Sequence, residues 1–355
     1  MRTKSNANSN KKSESIAHLY SNVDLRKLLI PIIVEQLLSS LMGTVDTMMV
    51  SNVGSAAISA VSLVDSINIL VIQALSALAA GGAILCSQYL GSHNEKGANN
   101  AARQVLYVMA LLSTALSVVC LVFRYPLLRA IFGAVEADVM RNSQVYFLFT
   151  LLSFPFIGLY DAGASIMRAQ NNSRTPMIIS VVSNFMNIGG NAILIFGCNM
   201  GVEGAAISTL ISRIFCAIVV IGFLRMEDQV HPLKALFRSG SATQSDTPDQ
   251  SGDFYAPGAA DDPVAAIRVR NYLAIRPDWA IIKKILLIGI PSGIENSMFQ
   301  FGKLAIQSTV STLGTVAIAA QAMTNILENL NGIAAIGIGI GLMTVVGQCL
   351  GAGRK

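Results

Sequence analysis

Residues 30–91 read IPIIVEQLLSSLMGTVDTMMVSNVGSAAISAVSLVDSINILVIQALSALAAGGAILCSQYLG, and residues 290–351 read IPSGIENSMFQFGKLAIQSTVSTLGTVAIAAQAMTNILENLNGIAAIGIGIGLMTVVGQCLG. At an offset of 260 residues, with Pro31 on Pro291, the two stretches align without a gap and 15 of 62 pairs are identical. The identities include Glu35/Glu295, Val50-Ser51/Val310-Ser311, Gly54/Gly314, Ala57-Ile58/Ala317-Ile318, Gln88/Gln348 and Leu90-Gly91/Leu350-Gly351. Shared apolar composition accounts for about a third of them, and the remainder marks an internal repeat. Parallel duplication of apolar segments is how membrane carriers are built from two like bundles around a cavity.

The rest of the chain fits that setting. It has 355 residues, 53% hydrophobic and only 13% charged, with a mean hydropathy of +0.57. One globular core cannot absorb that many long apolar runs, whereas a bilayer takes about 20 apolar residues per helix. Apolar stretches fall at about 28–49, 58–85, 104–123, 145–167, 177–196, 205–224, 281–313 and 316–346. The sequence therefore predicts an all-α polytopic membrane protein with eight spans. The five cysteines form no CxxC or His-paired spacing, so neither a disulfide framework nor a metal site is expected. The first 27 residues contain no apolar signal-peptide core.

The net charge of +5 is topological in origin. With the N-terminus in the cytoplasm, 20 of the 25 Lys and Arg residues face inside. Three (Arg124, Arg129, Arg141) face outside, and Arg213 and Lys303 fall within spans. No basic cluster is interleaved with aromatics, so nucleic acid is not an expected partner. Both termini are expected to be cytoplasmic and the protein to be multi-pass in the plasma (inner) membrane. The expected organisation is a tail over 1–24, a six-helix block over 25–226, a flexible linker over 227–275 and a two-helix partial block over 276–355. The linker assignment rests on residues 240–262, which are rich in Ser, Asp, Pro and Gly. A second block as long as the first would need four more helices, so the sequence reads as a piece of a longer carrier or one completed by a partner.

Ionisable side chains in lipid are costly and become functional candidates for that reason. Span 1 holds Glu35 and Asp46, which eleven residues of helix place on one face about 16 Å apart. Glu35 is a candidate cavity contact; the alternative is a cytoplasmic-end pair with Arg26 or Lys27. Asp46 is deeper and has no Lys or Arg nearby in sequence. Span 5 carries Asn184, Asn187 and Asn191 at i, i+3 and i+7, a polar stripe suited either to interhelical hydrogen bonding or to handling a cation or proton. In span 6, Thr209 and Arg213 are one turn apart, and Arg213 can balance a carboxylate, pair with Glu203 or snorkel. Asp65, Asn68, Asp161, Glu295, Lys303 and Glu328 are further polar candidates in spans, and the partners of Glu295 and Lys303 must lie elsewhere than on each other.

Taken in order, these residues resemble a known family. Pro31-(x)3-Glu35, Val45-Asp46-Thr47, Val50-Ser51-Asn52-Val53-Gly54, Gln88-Tyr89-Leu90-Gly91, the run from Arg168 to Met177, Asn187-(x)3-Asn191, Ile195-Phe196-Gly197 and the run from Gly204 to Thr209 are similar to those of the MATE (multidrug and toxic compound extrusion) transporters. The resemblance covers about residues 20–226 and 276–355. It implies a twelve-helix, two-lobed exporter that exchanges Na+ or H+ for amphipathic, often cationic compounds, here with a six-helix N-terminal bundle and the first two helices of a repeat-related second bundle. By the same resemblance, Asp46 matches the carboxylate that takes the coupling cation, and Asn187 and Thr209 match its polar neighbours. Asn191 matches a position that is Asp in several members. An amide there leaves a single-carboxylate scheme around Asp46, with Na+ at Asp46 the only metal implied. Ile306 stands at the Asp46 position of the second block, so coupling is expected in the first lobe alone. Glu295 lies on the helix where some members carry a functional acid, which makes it a candidate substrate contact with Glu35, Asn184 and Arg213.

The expected function is therefore secondary antiport by alternating access, with small-molecule substrates, no cofactor beyond the coupling ion, and a monomeric state at full length. A lipid-linked saccharide flippase of the same superfamily is the related alternative, although only Arg213 and Lys303 are available for a cationic cavity. An inactive fragment is the other. An enzyme would need a convergent His, Ser or carboxylate cluster at one membrane face, and His18, His93 and His231 all lie apart in polar segments.

Overall fold

The computed structural model describes residues 22–133, 135–225, 267 and 277–353. The predicted tail up to residue 21, and the linker apart from Ile267, lie outside the described residues. Those described are helical and include no strand. Eight long helices follow one another: α1 (Asn22–Ser51), α2 (Ser55–Gly91), α3 (Glu95–Val122), α5 (Ala137–Ala169), α6 (Arg174–Asn191), α7 (Val202–Arg225), α8 (Trp279–Ser311) and α9 (Thr315–Gly351), with a short α4 (Arg124–Phe132) after α3. α4 was not expected. Nine residues are too few to show a helical period, yet it buries Leu128 and Phe132, one turn apart.

Among the described residues, seven helices have the length and apolarity to cross a bilayer: α1, α2, α3, α5, α6 with its extension to Gly197, α7, and the Asn331–Gly351 part of α9. The remaining predicted span, α8, is a 33-residue helix, but Glu295, Asn296, Gln300 and Lys303 interrupt its apolar run. Its start is fixed by polar contacts. Asp278 Oδ1 caps it, accepting from Ala280 N at 3.1 Å, and Asp278 Oδ2 accepts from Asn100 Nδ2 of α3 at 3.0 Å.

α2 is the central element, packed on α3 and α5 on one side and on α8 and α9 on the other. α1 runs between α6 and α9. With lipid as solvent, helices associate through close van der Waals contact and therefore place small residues where they cross. The repeat becomes a spatial symmetry at these crossings. A Cβ on Gly81 of α2 would meet Gly289 N of α8 at 2.8 Å, and its repeat equivalent Gly341 of α9 lies against Leu29 and Ile32 of α1. At the helix ends, Gly91 abuts the carbonyl of Gln348 and Gly351 abuts the carbonyl of Gln88, the same contact made twice. The turns entering α2 and α9 are also alike. Gly54 has φ 133° and Gly314 φ 95°, a conformation that glycine adopts without strain.

Candidate functional site

Asp46 lies in the last turns of α1, which Pro31 interrupts near its start. α6 brings Asn187 and Asn191 to the carboxylate. Asn191 Nδ2 donates to Asp46 Oδ1 at 2.6 Å, the short length of a bond assisted by charge. α7 holds α6 in place: Ser208 Oγ donates to the Asn187 carbonyl at 2.9 Å, and Gly190 leaves room for that hydroxyl. Immediately after Asn191 the helix widens into a π-helical stretch, Ala192–Gly197, a rare irregularity that occurs often at functional sites.

With its amide set so that both ends are satisfied, Asn187 donates from its nitrogen to Asp46 Oδ1 at 2.9 Å and accepts at its oxygen from Thr209 Oγ1 at 3.3 Å. Asn191 Oδ1 is buried and has no hydrogen-bond partner. The group thus offers a carboxylate, two amides and a hydroxyl, all hard oxygen donors, and fits a proton or a monovalent cation carried as substrate. Among the described residues, no three His, Cys, Asp or Glu side chains converge on a metal.

The other candidates divide. Asn184, of the same stripe, has its Nδ2 buried without a hydrogen-bond partner. Arg213 donates to Ser153 Oγ of α5 at 2.6 Å and lies within electrostatic reach of Asp46, Asp65 and Asp161. Glu203, its sequence-predicted alternative partner, is exposed. Glu35 is 3% exposed and is not among the residues lining either cavity described below. Arg168 Nη2 of α5 donates to its two oxygens at 2.8 and 2.9 Å, and Tyr160 Oη donates at 3.1 Å. Its partner is therefore neither Arg26 nor Lys27: burial demands a countercharge, and α5 supplies one from within the bundle. Glu295 is exposed on α8 and lines neither cavity described here. Lys303 finds its partner on α9, Glu328 Oε1 at 2.7 Å.

Two cavities lie between the repeat-related halves. One, of about 200 Å³, is bounded by α1, α2 and α9 and includes Gly43, Thr47, Asp65 and Asn325. The other, of about 420 Å³, is an almost wholly apolar cleft between α2 and α8, lined by residues such as Leu78, Gly289, Ile290 and Met298. Asp65, on the wall of the smaller cavity, is a residue to which sequence reasoning gave no role. It is an acid in an apolar run like Asp46, but no family motif drew attention to it.

The MatE family profile matches residues 31–193 and again 291–355, its two matches beginning at Pro31 and at Pro291 as the repeat does. The chain belongs to the MatE family. MatE proteins are membrane transporters, not enzymes, and this one is a multi-pass membrane protein. Two relatives have 24% and 26% identity: the "Probable multidrug resistance protein NorM" of Thermotoga maritima, over 94% of this chain and 64% of its own length, and the "Probable multidrug resistance protein YoeA" of Bacillus subtilis, over 91% and 63%. The chain thus spans just under two thirds of the curated relatives it matches. A multidrug resistance MATE family transporter of the MOP superfamily, solved facing outward, superposes with a TM-score of 0.72 at 19% identity, over 93% of this chain and 65% of that one. That likeness establishes the all-α fold that the sequence predicted.

Proposed function

We propose that the protein is a secondary antiporter of the plasma membrane that exports amphipathic, cationic compounds in exchange for H+ or Na+ by alternating access. Asp46 carries the coupling ion, and Asn187, Asn191 and Thr209 hold it. Facing outward, Asp46 takes up the ion and drug leaves; facing inward, the ion leaves and drug enters. The domain boundaries predicted above, the cytoplasmic placement of both termini and a monomeric state are part of the same proposal. The reading is supported by relatives whose names denote multidrug resistance.

The observation that carries it is the way Asp46 is held. Its hydrogen bonds come from amides, and the nearby guanidinium of Arg213 hydrogen-bonds to Ser153 instead. A carboxylate locked onto an arginine could not exchange cations; one held by neutral dipoles can. The test is efflux from proteoliposomes under an imposed H+ or Na+ gradient. Asp46→Asn should lose gradient-driven efflux of a cationic dye while eluting as a folded species. Retained gradient-driven export refutes the assignment. The same assay on this chain beside a version extended by four helices separates a working carrier from an inactive fragment.

A further inference from the structure

The apolar cleft between α2 and α8 opens on a different side of α2 from the smaller cavity. The cavity takes Ser62, Asp65 and Ile69, whereas the cleft takes Leu70, Ala74 and Leu78, which lie about 100° to 180° further round the helix. On α8 the cleft takes a stripe in which Ile290, Ile294 and Phe301 are exposed. Gly293 deepens it, since a Cβ there would find its first neighbours at 3.8 Å. Seven residues beyond Phe301, and so on the same stripe, Ser308 donates to the Ile131 carbonyl of α4 at 2.6 Å. At the other end Lys283 stands seven residues before Ile290, two turns and about 10 Å along the stripe. Trp279, one turn further out, is 74% exposed. Lys283 and Lys284 are both exposed, and among the described residues neither is paired with an acid.

The repeat shows what does not cover this stripe. Its equivalents on α1 include Ile30 and Leu41, which are 57% and 44% exposed although the helices of the first block are in place. Those helices engage another face of α1: α6 meets Asp46 and α5 meets Glu35. Helices packed in the same way on α8 would cover Glu295 and Ile306 and leave Ile290, Ile294 and Phe301 open. In a bilayer, an open apolar cleft meets acyl chains. A lysine at the interfacial end of the stripe carries its ammonium to the headgroup level, the level at which tryptophan is enriched, and favours a headgroup with net negative charge. Val23 holds the Lys283 position in the first copy, so only the α8 stripe has a cation at its end.

We propose that the α2–α8 cleft is a binding site for an anionic phospholipid, with an acyl chain along Ile290, Ile294 and Phe301 and the phosphate at Lys283. The lipid then fills the seam between the two repeat-related halves. The site is independent of which ion and which compound the protein carries.

The chain's single tryptophan, Trp279, reports on it, because it lies one turn from Lys283. In phosphatidylcholine vesicles holding the purified protein, a phosphatidylglycerol brominated near the top of its chains should quench Trp279 with an apparent affinity about fivefold above that of phosphatidylcholine brominated alike, the value of one lysine at an anionic headgroup. Lys283→Gln should remove that preference and Lys283→Arg should keep it. Ser297→Phe, which fills the cleft without changing its charge, should weaken phosphatidylglycerol quenching at least threefold. Equal quenching of the parent by the two lipids overturns the proposal, as does a preference that survives Lys283→Gln. A preference that Lys283→Gln removes but Ser297→Phe leaves untouched is surface charge alone, and overturns it too. Quenching by neither lipid also overturns it, and a cross-linked dimer in the same vesicles would then identify a second copy of the chain as the occupant.

Discussion

Glu35 and Glu295 occupy the same position in two copies of one pattern, four residues after Pro31 and Pro291, and among the described helices their surroundings are opposite. Glu35 is buried against Arg168 and Tyr160, whereas Glu295 lies exposed on α8. The difference comes from outside the repeat unit: Arg168 of α5 reaches Glu35 on α1 with its guanidinium, and no described helix does the same for Glu295 on α8. Asp46 and Ile306 repeat the lesson. Asp46 is met by the amides of α6, while Ile306 is 59% exposed. The two copies share a scaffold; among the described residues, α5 and α6 supply partners to Glu35 and Asp46 of the first copy alone.

The sharpest way to break this comparison is to neutralise each glutamate in turn. Glu35→Gln leaves Arg168 buried without its countercharge and should cost about 3–5 kcal/mol, whereas Glu295→Gln, an exposed change, should stay within about 0.5 kcal/mol. Denaturant unfolding in detergent micelles measures both, and equal losses would show that the two environments are alike. The double change Glu35→Gln with Arg168→Met should recover part of the loss.

The crossings should behave the opposite way, as equals. Gly91→Ala and Gly351→Ala each push a methyl into the partner's Gln carbonyl and should each destabilise by about 1–3 kcal/mol. A loss confined to one of the pair would deny the reciprocal contact. The smallest effect is expected at the half-exposed pair of Lys303 and Glu328. Lys303→Met should cost no more than about 1 kcal/mol, because solvent screens such pairs, and the cost should shrink further in high salt.

Much of this was legible in the residues. Apolar runs gave the helices, and the offset between Pro31 and Pro291 gave the symmetry that Gly81 and Gly341 realise in space. Asp46 was visible because an acid deep in an apolar run has few structural excuses. The partner of Glu35 was not visible: Arg168 is 133 residues away, and no periodicity along one helix reports which neighbour will face it. Asp65 was visible as an acid but not as part of a site, since its meaning depends on Asn325 and on a cavity formed only when α2 and α9 pack. The asparagine stripe was half informative. The spacing placed three amides on one face, but which of them reach Asp46 depends on the tilt of α6 against α1.

The matched contacts at Gly91 and Gly351 have a mechanical consequence. There the bare α-carbon of each glycine faces a backbone carbonyl oxygen of the other half, with no side chain of its own between them. Such a joint works as a plain bearing and not as a gear: the two sides can rock past each other without any rotamer having to turn over.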